Sequence, residues 1–174
     1  MPGEPSENRH RFAVDLLAAP AGATVLEFGA GTGAGSAQVL ANDPAARVVV
    51  VDRSATAVAR IGLRLADELA EGRVTLLDVE LAALELPEGS VDAAFGVNVN
   101  AFWMTMALRE SAALMRALAP GAPLVVVYGA DPTDSPTRAR ATLASVAANL
   151  ASGGFLVERE VVAAEGSAVV ARRP

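Results

Sequence analysis

The chain has no cysteine and no lysine, and its only histidine is His10. Without cysteine there is no disulfide, no thiolate nucleophile and no Cys-ligated metal. A single histidine cannot form a His cluster, so zinc hydrolysis and Cys–His or Ser–His triads make poor readings and no metal is expected. The missing lysine closes Schiff-base chemistry and the Tyr–Lys dehydrogenase pair. Long apolar runs are also absent: nothing approaches the roughly 20 apolar residues of a membrane helix, and the polar opening Met1 to Arg11 lacks the apolar centre of a secretory leader. A cytoplasmic protein without a membrane span is expected. Basic charge is scarce, with 14 Lys+Arg against 20 Asp+Glu for a net charge of −6, so the footprint of a nucleic-acid binder is missing.

What is present suits one domain with a full core: 174 residues, 52% of them hydrophobic, with only the first eight residues reading as dispensable and flexible. Short β-rich runs, Val25 to Phe28, Val48 to Val51, Val74 to Leu77, Val91 to Val97 and Leu124 to Tyr128, alternate with helical stretches. That alternation is the pattern of βαβ units and a parallel sheet. One crossover helix is expected from an N-cap at Ser54 to about Ala70, ended by Gly72. A second carries Met104, Leu108, Ser111, Met115 and Leu118 on one stripe and stops at Pro120-Gly121. A third starts with Ser135 as N-cap and Pro136 as first helical residue and ends near Gly153-Gly154. The last two β-rich runs, Phe155 to Val162 and Ser167 to Arg172, lie four residues apart, too close for a parallel crossover, and should pair as an antiparallel hairpin. The expected fold is α/β: a Rossmann-like, doubly wound, mostly parallel sheet of seven strands with a C-terminal antiparallel hairpin.

Chemistry concentrates in Glu27-Phe28-Gly29-Ala30-Gly31-Thr32-Gly33-Ala34-Gly35, which follows the first strand and opens a helix. Glycines there permit positive φ and close backbone approach, and the helix N-terminus offers free N–H groups. Asp52, about 20 residues on, ends the second strand, where a carboxylate can accept from both hydroxyls of an adenosine ribose. The same glycines satisfy the dinucleotide pattern G-x-G-x-x-G/A, so a nicotinamide cofactor stays open at this point, as does a glycine-rich turn holding nothing.

The ordered motifs resemble the class I S-adenosylmethionine-dependent methyltransferases, in particular the small domains related to ubiquinone- and menaquinone-biosynthesis methyltransferases. The resemblance rests on Val25 to Gly33, Val51-Asp52-Arg53-Ser54, Leu77-Asp78, Leu86 to Asp92, Asn98 to Trp103 and Leu118 to Gly121, and covers the chain from about His10 onward. It implies that Gly29, Ala30, Gly31 and Gly33 wrap the methionine part of S-adenosylmethionine while Glu27 anchors the loop and its ligand. It further implies that Asp52 holds the ribose, Asp78 accepts from the adenine amino group, Val79 supplies a backbone N–H, Arg53 flanks the ring and Asn98 stands beside the methionine end. The alternative roles are a helix cap for Asp78 and a strand terminator for Asn98. Pro120-Gly121-Ala122-Pro123 departs from the family's usual Pro-Gly-Gly, and there is no Asn-Pro-Pro-Tyr sequence after the fourth strand, so the amide and adenine methylation of proteins that carry it is unsupported.

Ligands of open parallel sheets bind beyond the carboxyl ends of the strands. Phe102, Trp103 and Tyr128 fall on that side and are candidate walls of an apolar or aromatic substrate pocket, with a core position as the alternative for Trp103. His10 is the one group that titrates near neutrality; the resemblance puts it at the start of an N-terminal helix near the cofactor, as a candidate base or a surface or capping histidine. The leading expectation is methyl transfer to a small molecule by in-line displacement. Its rivals are an NAD(P)-dependent oxidoreductase and a repurposed methyltransferase fold. The short chain has no insertion to serve as a lid, so the alternatives are a pocket that stays open and one completed by a partner, for which a homodimer is a candidate.

Overall fold

The computed structural model describes residues 5–129 and 136–174. In chain order the elements are α1 (Pro5–Leu17), β1 (Thr24–Phe28), α2 (Ala34–Asn42), β2 (Arg47–Asp52), α3 (Ala55–Arg64), α4 (Ala66–Ala70) and β3 (Val74–Asp78). A single 3-10 turn at Leu81–Ala83 leads to β4 (Ala93–Val97), α5 (Ala101–Met104), α6 (Leu108–Ala117), β5 (Pro123–Tyr128), α7 (Pro136–Ser152), β6 (Leu156–Val162) and β7 (Ser167–Arg172). The seven strands form one sheet in the order β3-β2-β1-β4-β5-β7-β6. Strands β1 to β5 are parallel, whereas β7 runs antiparallel to both β5 and β6. The hairpin forms as the sequence predicts, with its second strand inserted against β5 and its first left at the edge.

The four valines of β2 and the Leu124–Val127 run of β5 are buried on both faces, as strands covered by helices on either side must be. One apolar cluster, including Phe28, Leu114, Leu118, Leu143 and Val146, joins α6 and α7 to the sheet. The other, including Leu17, Val39, Leu40 and Ile61, does the same for α1, α2 and α3. Because β1 lies between β2 and β4, the winding reverses beside it, and a crevice opens beyond the carboxyl ends of these strands.

Several boundaries depart from the sequence reading. The first crossover is two helices, because Leu65 leaves helical geometry (φ −111°, ψ 31°) with its side chain fully buried. Ser54 caps α3 by accepting from the Ala57 N–H at 3.3 Å, and Gly72 closes the segment at φ +72°. The second crossover also breaks: Ala107 sits at φ +46° between α5 and α6. That rotation exposes Met104 and Leu108, the first two members of the predicted stripe, while Ser111 and Leu118 are buried as predicted and Ala113, Leu114 and Ala117 complete the buried side of α6. Val91 makes only an isolated bridge to Leu118, ahead of β4. Helix α1 starts at Pro5, inside the segment read as dispensable. The turn before α7, with the predicted cap Ser135, lies outside the described residues. Pro123 occupies the first position of β5, where a missing N–H is tolerated, so the altered turn leaves that strand intact.

Candidate functional site

The loop leaving β1 is left-handed at three glycines, with φ of +63° at Gly29, +54° at Gly31 and +69° at Gly33. Such angles cost an L side chain on the order of 1 kcal/mol each. At Gly29 there is also no room, since a Cβ would come within 2.8 Å of Val99 Cγ2. Beneath the loop, Glu27 is buried; its Oε2 accepts from the Ser36 N–H at 2.7 Å and from the Ser36 hydroxyl at 2.5 Å. A Cβ at Gly35 would collide with Glu27 Oε1 and the Phe95 ring, so glycine there is what allows the carboxylate under the first turn of α2. Burial pushes the Glu27 carboxyl up to about 7, against the opposing pull of its Ser36 hydrogen bonds.

Asp52 joins the loop to the next helix. Its Oδ2 accepts from the Gly31 N–H at 2.8 Å and its Oδ1 from the Ser54 N–H at 2.9 Å. Each oxygen still has acceptor capacity. Asp52 lines a cavity of about 570 Å³ together with Gly29, Arg53, Val79 and Asn98, a size that takes a small organic ligand. Asn98 both ends β4 and faces the cavity. It holds φ +58°, donates its N–H to Val127 O at 2.7 Å and accepts the Gly129 N–H on Oδ1 at 2.8 Å. Asparagine is among the few residues that visit this region readily.

A family model described as a methyltransferase domain matches residues 25–121, more than half of the chain. The chain belongs to the methyltransferase domain family. Among curated proteins none matches it by sequence. By structure, this methyltransferase domain is similar to a SAM-dependent methyltransferase from Aquifex aeolicus, with TM-score 0.77 at 19% identity, covering 99% of this chain and 100% of that one. It is similar also to geranyl diphosphate C-methyltransferase from Streptomyces coelicolor A3(2), with TM-score 0.76 at 13% identity, covering 97% and 79%. The third likeness is to the [4+2]-cyclase SpnF, with TM-score 0.75 at 18% identity, covering 97% and 82%. At these identities the likeness is one of fold.

Not every residue singled out in the sequence reaches the cavity of the methyltransferase domain. Ala30 and Gly33 are buried and Gly31 half-buried within the loop, and none of the three lines the cavity. Glu27 supports the loop from below and lies off the cavity wall. Asp78 is exposed, beside Asp52 in register but off the cavity wall, and the 3-10 turn after it has no side-chain cap. Val79 lines the wall, but its N–H is already donated to Asp52 O at 3.1 Å. The next residue, Glu80, also lines the wall, and its N–H has no hydrogen-bond partner among the described residues.

The aromatic wall is not where the sequence placed it. Phe102 is fully buried and packs on Phe28, ring centroids 5.6 Å apart, because α5 turns that side chain into the core. Trp103 is neither core nor cavity wall; it is exposed, with its indole N–H donated to Asn100 Oδ1 at 3.2 Å. Tyr128 braces the wall from behind, donating its hydroxyl to Val99 O at 2.7 Å, and burial pushes its phenol pKa up. His10 sits midway along α1 and lines a separate hollow of about 220 Å³ with Gln38 and Arg64. Among the residues missed are Glu80, Met104, Thr105 and Glu110, all on the cavity wall. The acidic residue in the first turn of α6, Glu110, is a helix-start signal; read as such, it would have moved the start of that helix to its observed place.

Proposed function

We propose that this methyltransferase domain binds S-adenosylmethionine and methylates a small-molecule acceptor. The observation that carries the reading is the Asp52 carboxylate, fixed by Gly31 and Ser54 at the rim of the 570 Å³ cavity with acceptor capacity to spare. Two ribose hydroxyls would donate to it, the Glu80 N–H would meet the base, and Gly29 would let the backbone come close. The cavity's charged lining is Asp52, Glu80 and Glu110 against Arg53 alone. That balance suits a cationic sulfonium and repels a pyrophosphate, which supports this cofactor over a nicotinamide dinucleotide. When bound, the sulfonium supplies an activated methyl group for in-line displacement. The chain's own part is to hold the two reactants in line. The hollow at His10 is separate, so no proton transfer is assigned to it. The structural neighbours support the reading: one is a SAM-dependent methyltransferase, and another was solved with geranyl diphosphate and S-adenosyl-L-homocysteine.

Calorimetric titration with S-adenosylmethionine, S-adenosylhomocysteine and NADH tests the reading. The first two are expected to bind in the micromolar range and NADH not at all. Asp52→Asn, which removes the charge and keeps one amide oxygen, should weaken S-adenosylhomocysteine at least tenfold, about 1.4 kcal/mol. Saturable NADH binding alone would reject the proposal. A second reading, a domain repurposed to guide another reaction, is favoured by the likeness to a protein described as a [4+2]-cyclase. It predicts cofactor binding without transfer of a labelled methyl group. A cytoplasmic setting completes the proposal; among the described residues no helix is long and apolar enough to cross a membrane. Closure of the cavity by a homodimer is proposed with it and is read by mass in solution.

A further inference from the structure

Four large apolar side chains stand exposed on six consecutive residues beside the cavity: Trp103 at 43%, Met104 at 64%, Met106 at 58% and Leu108 at 48%. The backbone under them is held firmly. Asn149 on α7 donates Nδ2 to Phe102 O at 3.0 Å and to Thr105 O at 2.7 Å. The Thr105 hydroxyl donates to Ala101 O at 2.9 Å and accepts from the Ala107 N–H at 3.1 Å. Ala107 adopts its left-handed conformation at the end of this brace. A pinned backbone that points methionines and a tryptophan at water is an apolar ridge in fixed register with the cavity, because Met104 belongs to both.

We infer that this ridge is the landing surface for an uncharged, apolar small-molecule acceptor, whose reacting end enters the cavity past Met104 while its body lies along Met106, Leu108 and Trp103. The inference deepens the proposed function and rests on it. Continuity with a cavity of small-molecule size favours this occupant. A stable protein interface uses about 20–30 residues a side, far more than this six-residue segment offers. A lipid surface would draw on a cluster of basic residues beside the apolar ones, and along this segment the sequence offers Arg109, in a chain of net charge −6. Methionine side chains adapt to varied apolar shapes, so the ridge fits a class of acceptors better than a single rigid one.

Trp103 is the only tryptophan, so its fluorescence reports on the ridge directly. The probe is N-phenyl-1-naphthylamine, an uncharged apolar fluorophore, titrated into the full chain saturated with S-adenosylhomocysteine. Saturable binding of one probe per chain with quenching of Trp103 is expected. The double variant Met106→Gln/Leu108→Gln, which touches neither the core nor the cavity wall, should weaken the probe roughly tenfold, as partial loss of two apolar contacts implies, and leave S-adenosylhomocysteine affinity unchanged. Leu63→Gln, which removes an apolar side chain 84% exposed on α3, should change nothing. Non-saturable uptake, equal loss in the Leu63 variant, or no loss in the double variant overturns the inference. So does a dimer that the double variant dissociates, or a larger Trp103 response to phosphatidylcholine vesicles than to the probe. If S-adenosylhomocysteine fails to bind the wild-type chain, the proposed function falls. Probe binding under that condition would make the ridge an apolar site with no acceptor role, which overturns the inference too.

Discussion

A carboxyl placed where Glu27 is, under the first turn of α2 and out of reach of water, prefers to hold its proton, and burial outweighs the Ser36 donors that favour the ionised form. Its pKa rises from 4.5 to about 7 on folding. The folded chain therefore binds an extra proton between those values. The stabilisation this gives is complete below pH 4.5 and is lost as pH climbs through 7, an effect on the order of 3 kcal/mol. Glu27→Gln cannot ionise, yet its amide oxygen can still accept from the Ser36 N–H. Thermal unfolding from pH 5 to 8 should show the variant's stability falling less steeply than the wild type's, so that the difference between them grows in the variant's favour toward pH 8. Parallel profiles would mean that Glu27 stays ionised through the window. The acidic residue itself was evident from its place two positions before the first glycine. Its burial and its partner Ser36 were not, because they depend on the packing of α2 against the Phe95 ring.

At the level of elements, the segment between α5 and α6 sets a sharp expectation. Ala107 sits at φ +46°, where glycine is at ease and alanine is strained. Ala107→Gly should therefore raise the denaturant midpoint by an amount worth about 0.5–1 kcal/mol, with an unchanged slope. Had residues 101–117 formed one helix, the same substitution would cost about 1 kcal/mol, so the sign of the effect decides between the two arrangements. The sequence marks the break only through the acidic Glu110 in the first turn of α6, because every residue from Met104 to Leu118 is tolerated in a helix. What imposes it is Asn149, more than 40 positions away, holding the carbonyls of Phe102 and Thr105. Local signals served where the cause is local. Valine runs marked the strands, Ser54 marked its helix start, Gly72 its end, and the four residues after Val162 forced a hairpin. Nothing local says that β7 will slide between β5 and β6, since that choice is made by pairing across the whole sheet.

Across the whole molecule, the order of the motifs was legible because the chain returns to the same end of the sheet after each parallel strand, and Gly29, Asp52, Val79 and Asn98 all meet there. The acceptor side was not, because Phe102 and Tyr128 were assigned by sequence position while α5 and the Val99 carbonyl decide where their side chains go. The cavity wall draws on the loops after β1, β2, β3 and β4 and on α5 and α6, and apolar clusters on both faces share the same central strands. No part can open far without unpairing that sheet, so the chain should unfold in a single cooperative transition. A ligand bound across so many elements should stabilise all of them together. At 100 times its dissociation constant, S-adenosylhomocysteine adds about 2.7 kcal/mol by mass action, which for a chain of this length moves Tm by roughly 5 to 10 °C. Differential scanning calorimetry with and without S-adenosylhomocysteine, and with NADH as control, reads both expectations at once. One peak that the first ligand alone moves upward would tie the cavity to the whole sheet. Two peaks, of which only one responds, would mean that the C-terminal hairpin and α7 melt independently of the strands that hold the site.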